Sequence, residues 1–207
     1  MIMKKTQILK NVWLVSFDTQ EDLALSFLRF QECYESPRFR GQAFSLDEFK
    51  AWYAAENGSF SYVDDWSGFN IPSSMFDPFK RGNFDPLSDR EKALIAAFVD
   101  EPQPFYVIGA NEGSDALEHE ICHALFYVDP EYRAAAQKII SDNLDKLAHL
   151  FLEVADMGYH QSVHVDEVHA YVSANPDWLT DNDLKCDVKI TKQLQDLKLK
   201  AVLRNKI

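Results

Sequence analysis

Along the chain the spacing of apolar positions changes several times, and each change marks an element. Ile8 to Phe17 is rich in β-formers, with Trp13, Val15 and Phe17 on one face and Val12 and Leu14 on the other. That pattern predicts a strand covered on both sides. Thr19 to Tyr34 predicts a helix, because Leu23, Phe27 and Phe30 recur at helical spacing behind an acidic first turn, Glu21-Asp22. Ser45-Leu-Asp-Glu48 is a capping box, followed by the apolar stripe Phe49, Trp52 and Tyr53. Residues 57–87 break the pattern with Gly58, Gly68, Gly82, Pro72, Pro78 and Pro86. Within them Ser59 to Trp66 reads as a strand. Gly68 to Pro86 reads as an ordered loop pinned by Phe69, Phe76, Phe79 and Phe84. Ser88-Asp-Arg-Glu91, a second capping box, opens a helix reaching about Glu101, and Phe105 to Ile108 forms a short strand that Gly109 ends.

Helices dominate afterwards. Asp115 to Val128 is one, stopped by Asp129-Pro130. A long one is predicted from Pro130 to about Ala155, then Gly158 interrupts. Another runs from about Val163 to Ala174 and ends at Asn175-Pro176. The fold class is therefore α+β: a small sheet with a mainly helical C-terminal half. A chain of 207 residues suits a single domain. We divide it into a sheet-containing half at 1–110, the helices of a candidate site at 111–184, and a basic C-terminal helix at 185–207.

Composition narrows the function. Aromatic residues reach 13%, too many for a disordered chain. The net charge of −12 disfavours binding to a phosphate backbone, so no nucleic-acid partner is expected. The charge is uneven: 185–207 holds seven basic and two acidic side chains, which leaves −17 on 1–184. A helix lying on an acidic body explains this, with a free basic arm as the competing reading. Cys33, Cys122 and Cys186 form no CxxC pair. They therefore suggest neither a disulfide framework nor a thiolate zinc site. No apolar run is long enough for a membrane span, and the N-terminus lacks a cleavage site, so the expected location is the cytoplasm.

One motif carries chemistry. Leu117-Glu-His119-Glu120-Ile-Cys-His123 contains HExxH. On a helix, residues four apart lie one above the other, so His119 and His123 can aim at one ion while Glu120 sits beside it. Leu117, Ile121, Ala124, Leu125 and Val128 fall on the opposite, core-facing side. Cys122 points off the ligand face and reads as a small packed hydrophobe. A catalytic zinc site needs a third ligand. All six histidines lie between 119 and 169, and only Gly158 to Tyr171 concentrates further ligand types. On a helix His160, His164, Glu167 and Tyr171 share one face, while Asp166 and His169 point elsewhere.

This arrangement resembles the gluzincin branch of the zincin metallopeptidases: His119-Glu120-x-x-His123, then a helix with a carboxylate in Asp166-Glu167-Val-His-Ala170-Tyr171. The resemblance covers residues 115–174. It implies a zincin-like fold, Zn2+ held by His119, His123 and Glu167, and Glu120 as general base in hydrolysis of a peptide or protein substrate. His164 is the alternative third ligand. Phe126 and Asp129 exclude the longer metzincin pattern, and Tyr171 stands where an acidic residue is expected. His164 and Tyr171 are the candidate donors to a developing oxyanion, each with an ordinary buried role as the alternative. Glu118 and Asp115 are either acceptors for the imidazole N–H groups or solvated helix residues. Phe105 to Gly109 is either a sheet edge that takes an extended peptide or a buried strand. A metal-binding domain without catalysis, acting in protein interaction, is the competing function.

Overall fold

The computed structural model describes residues 2–111 and 115–207, apart from the side chain of Asp115. The chain starts with a hairpin, β1 (Met3–Leu9) and β2 (Val12–Phe17), turned at Asn11 in the left-handed region (φ 59). The predicted single strand from Ile8 is thus two strands. The first is polar and half exposed, which hid it from a hydrophobicity reading. Helix α1 (Gln20–Glu35) follows, capped by Thr19. Helix α2 (Leu46–Asn57) carries the predicted capping box.

Residues 57–87 hold the largest departures. Ser59 to Trp66 is no strand; it contains a short helix, α3 (Tyr62–Asp65). The predicted loop begins with strand β3 (Gly68–Pro72), then a tight turn and helix α4 (Phe76–Lys80). The four phenylalanines are buried, so they pin the segment as expected. Helix α5 (Asp89–Ala97) carries the second capping box and stops short of Glu101. Strand β4 (Tyr106–Ala110) runs through Gly109. A Cβ at Gly109 would lie 2.7 Å from the Phe27 ring, so this glycine lets the ring pack on the strand.

The sheet is mixed, in the order β1-β2-β4-β3. Strand β2 pairs parallel with β4, and β3 pairs antiparallel with it. Strand β4 is therefore central and offers no edge to a peptide; β1 and β3 are the edges. The sheet separates two cores. Val15, Phe17, Ile71 and Val107 point into an aromatic core with α1. Val12, Leu14, Ile108 and Ala110 meet helix α6 (Asp115–Val128) on the other face. The alternation along β2 is the one its sequence predicts.

Helices α7 (Pro130–Ser141), α8 (Leu144–Asp156), α9 (His164–Ala174), α10 (Pro176–Asp181) and α11 (Val188–Arg204) enclose a third core. The long helix predicted from Pro130 breaks at Asp142-Asn143. Helix α11 is a packed helix and not a free arm. It buries Ile190, Leu194 and Ala201, and Arg204 pairs with Asp129 at 2.5 Å. No helix among the described residues is long and apolar enough to cross a membrane.

Candidate metal centre

Helix α6 lies beneath the sheet with its apolar side, Ala124 and Leu125, buried against β2 and β4. That docking turns the opposite side toward α9, the helix it contacts most extensively. His119 and His123 on α6 and Glu167 on α9 come together as a result. The two Nε2 atoms are 3.0 Å apart. Glu167 Oε2 lies 3.6 Å from each of them.

The protonation pattern follows from the other ring nitrogens. His119 Nδ1 faces Asn175 Oδ1 at 2.7 Å, and His123 Nδ1 faces Asp166 Oδ1 at 3.0 Å. A proton on each Nδ1 satisfies these contacts, and the two Nε2 atoms turn toward each other and toward Glu167. Two imidazole nitrogens and a carboxylate oxygen converge, and Glu167 Oε2 is buried with no hydrogen-bond partner. Positive charge among these atoms, a proton on the His123 ring or a metal ion, holds such a set together. Zinc bonds of about 2.0–2.2 Å at tetrahedral angles place neighbouring ligand atoms about 3.3–3.5 Å apart, close to the separations found. The donor set thus fits a divalent ion bound by two imidazoles and one carboxylate.

The electrostatics are those of a buried negative cage. Burial pulls the His123 pKa down, but Glu167 and Asp166 outweigh it and hold the ring well above its ordinary value. Burial pushes the Glu120 carboxyl up, against the pull of the two histidines. Asp166 feels burial in the same upward sense, yet its contacts with His123 and His169 bring it down to about 2. It stays ionised and forms a buried line, His123–Asp166–His169, with His169 Nδ1 3.2 Å from Asp166 Oδ1.

Glu120 is buried at the floor of the cleft, and its Oε2 has no partner. Strand β3 passes directly over it. A Cβ on Gly68 would fall 2.7 Å from Glu120 Oε1 and 2.9 Å from Ala116 Cβ, so only glycine admits this approach. Next along β3, Asn70 receives a hydrogen bond from Tyr106 Oη at 2.6 Å and donates its backbone N–H to Gln31 Oε1 at 3.0 Å. Gln31 in turn donates to Glu35 Oε1 at 2.7 Å. A polar chain from α1 thereby fixes the edge strand above Glu120. The cleft has a volume of about 310 Å³ and is open to solvent.

The remaining sequence candidates fall in different places. Tyr171 lines the cleft, its ring 4.7 Å from that of His119. Burial raises its pKa, so the hydroxyl keeps its proton. His164 does not line the cleft; its Nε2 meets Tyr159 O at 2.8 Å. His160 precedes α9 and binds the Ser162 hydroxyl. The four-residue stripe therefore contributes only Glu167 and Tyr171. Glu118 is exposed and pairs with Lys198 at 2.5 Å, not with an imidazole. The Asp115 side chain lies outside the described residues. Cys122 is fully buried, as a packed hydrophobe should be. Sequence reasoning sent Asp166 away from the site and missed Asn175, Glu35 and Tyr159. Asn175 carried one visible signal, its position as the helix-ending residue before Pro176.

Comparison with models of known protein families, with curated proteins and with solved structures found no match.

Proposed function

We propose that this chain is a zinc-dependent hydrolase of the metallopeptidase type, with a zincin-like arrangement in which the HExxH helix lies beneath a mixed sheet. The observation that carries this reading is the convergence of three possible ligand atoms on one point, with Glu120, one of whose carboxylate oxygens has no partner, beside it. A purely structural cluster has no use for that carboxylate.

His119, His123 and Glu167 would hold the ion, with Asn175 and Asp166 fixing the two rings. Zinc in such a site lowers the pKa of a bound water and polarises a carbonyl. Glu120, with one oxygen free, accepts a proton from the attacking water and returns it to the leaving amine. Tyr171, protonated and beside His119, donates a hydrogen bond where negative charge develops on the substrate.

The decisive variant is Glu120→Gln, measured with metal content alongside peptide hydrolysis. Zinc should stay bound while turnover falls by about 10²–10⁴-fold, the usual contribution of a positioned base. Wild-type turnover in this variant would remove Glu120 from the mechanism. Full zinc loading with no turnover of any peptide by the wild-type protein would instead leave a metal-binding domain for protein interaction.

A further inference from the structure

The metal cleft has a side branch. A second cavity of about 210 Å³ adjoins it, and Glu35, Trp66 and Tyr159 line both. Beyond that junction the branch is walled by Glu32, Trp52 and Tyr53. Glu32 and Glu35 lie three residues apart on α1, on one side of the helix. Glu35 is only 9% exposed. One of its oxygens accepts from Gln31 at 2.7 Å, and among the described residues nothing donates to the other. Among the described residues no lysine or arginine lines either cavity. Burial pushes the Glu32 carboxyl up to about 7, as expected for an acid with no cation beside it.

We propose that this branch receives a lysine or arginine side chain of a peptide whose backbone lies over the metal centre, and so sets the specificity of the hydrolysis proposed above, on which the inference rests. The chemistry of the walls selects such a group. Aromatic faces hold the methylene stem and attract the cation, and carboxylates accept its N–H groups. The spacing favours a long side chain over a terminal amine. A cation at the junction meets Glu35 alone. One that extends a further ~4.5 Å along α1, three residues at the helical rise, meets Glu32 as well.

Calorimetric titration of the full-length, zinc-loaded Glu120→Gln protein tests this. The probes are acetyl-Gly-Xaa-Gly-amide peptides with Xaa as Arg, Leu or Glu, together with Leu-Gly-Gly carrying a free amine. The arginine peptide should bind about tenfold tighter than the blocked leucine peptide, with the glutamate peptide weakest. Glu35→Gln and Glu32→Gln should each shrink that preference while leaving leucine-peptide binding in place. Glu32→Gln, at a half-buried position, carries the test if Glu35→Gln does not fold. Equal binding of the arginine and leucine peptides overturns the proposal. So does tighter binding of the free-amine peptide, a preference that survives the double variant, or no binding of any peptide. Metal analysis and wild-type cleavage are read separately. An arginine preference in a protein that cleaves nothing would sink the hydrolase and keep the cation branch.

Discussion

Two buried ionic clusters among the described residues are built on opposite terms. In the first, Arg29 of α1 meets Glu91 of α5, the side chains 6% and 4% exposed. Its Nε and Nη2 reach the two carboxylate oxygens at 2.6 Å, and Nη1 donates to the carbonyls of Phe44 and Phe84. Glu91 also closes the capping box through Ser88. No atom of that pair lacks a partner. The second cluster, at His119, His123, Glu120 and Glu167, leaves two carboxylate oxygens bare in the interior. Buried polar groups are normally satisfied, so a cluster that holds itself together needs no function, and one with bare carboxylate oxygens is a candidate for binding a cation.

That contrast can be broken by stability measurements. Arg29→Met strands Glu91 and should lower the unfolding free energy by about 3–5 kcal/mol in urea denaturation. Replacing both partners with apolar residues should recover much of that loss, because the penalty lies in the orphaned charge. A negligible loss in the single variant would show that the first cluster is not the self-sufficient one.

The metal cluster should respond to its ion instead. Zinc at a hundredfold excess over its Kd should stabilise the protein by about 2.7 kcal/mol, seen as a raised calorimetric transition that a chelator reverses. Glu167→Gln should lose this increment entirely. Without metal that variant should be less stable than wild type at neutral pH, since it removes the carboxylate that faces the buried His123 ring. A transition that zinc leaves unmoved would contradict the reading of the site. A smaller effect tests the support behind the ligands. Asp166→Asn should weaken zinc affinity about 10–100-fold in competition with a chelator, without emptying the site at saturating metal. Unchanged affinity would reduce the His123–Asp166–His169 line to packing.

How much of this could be read beforehand depends on whether a feature is local. Both capping boxes, the two-faced β2 and the pairing of His119 with His123 are set by neighbours within one turn or one strand, and each stands in the structure. Glu167 reaches its place by the docking of α9 on α6, which its helical position suggested but did not determine. Asp166 defeats a face argument because it sits at the opening turn of α9, where its carboxylate reaches His123 past Glu167 beside it. Strand β1 was hidden by Lys4, Lys5, Thr6 and Gln7, polar positions tolerated at a sheet edge. Strand β3 was hidden by its length and by the glycine and proline at its ends. That glycine is there for Glu120, a contact made across the fold that no local pattern encodes.

Glu32 offers the finest test of the difference between satisfied and waiting acids. Its carboxyl is raised from 4.5 to about 7, chiefly by burial and against hydrogen bonds from Tyr62 and Ser36, with no cation beside it. A folded-state pKa above the unfolded one means that the native protein favours the protonated form. The group therefore imposes no penalty below about pH 4.5, and a growing one as pH rises through about 7. Glu32→Gln, which cannot ionise, should match wild type near pH 4. By pH 8 it should be more stable, by on the order of 1–2 kcal/mol. Glu91 has the Arg29 guanidinium as its countercharge, so the neutral replacement there should be destabilising at both pH values. Parallel stability–pH curves for Glu32→Gln and wild type would mean that Glu32 already has a countercharge. The branch beside the metal centre would then lose its strongest claim to a cationic occupant.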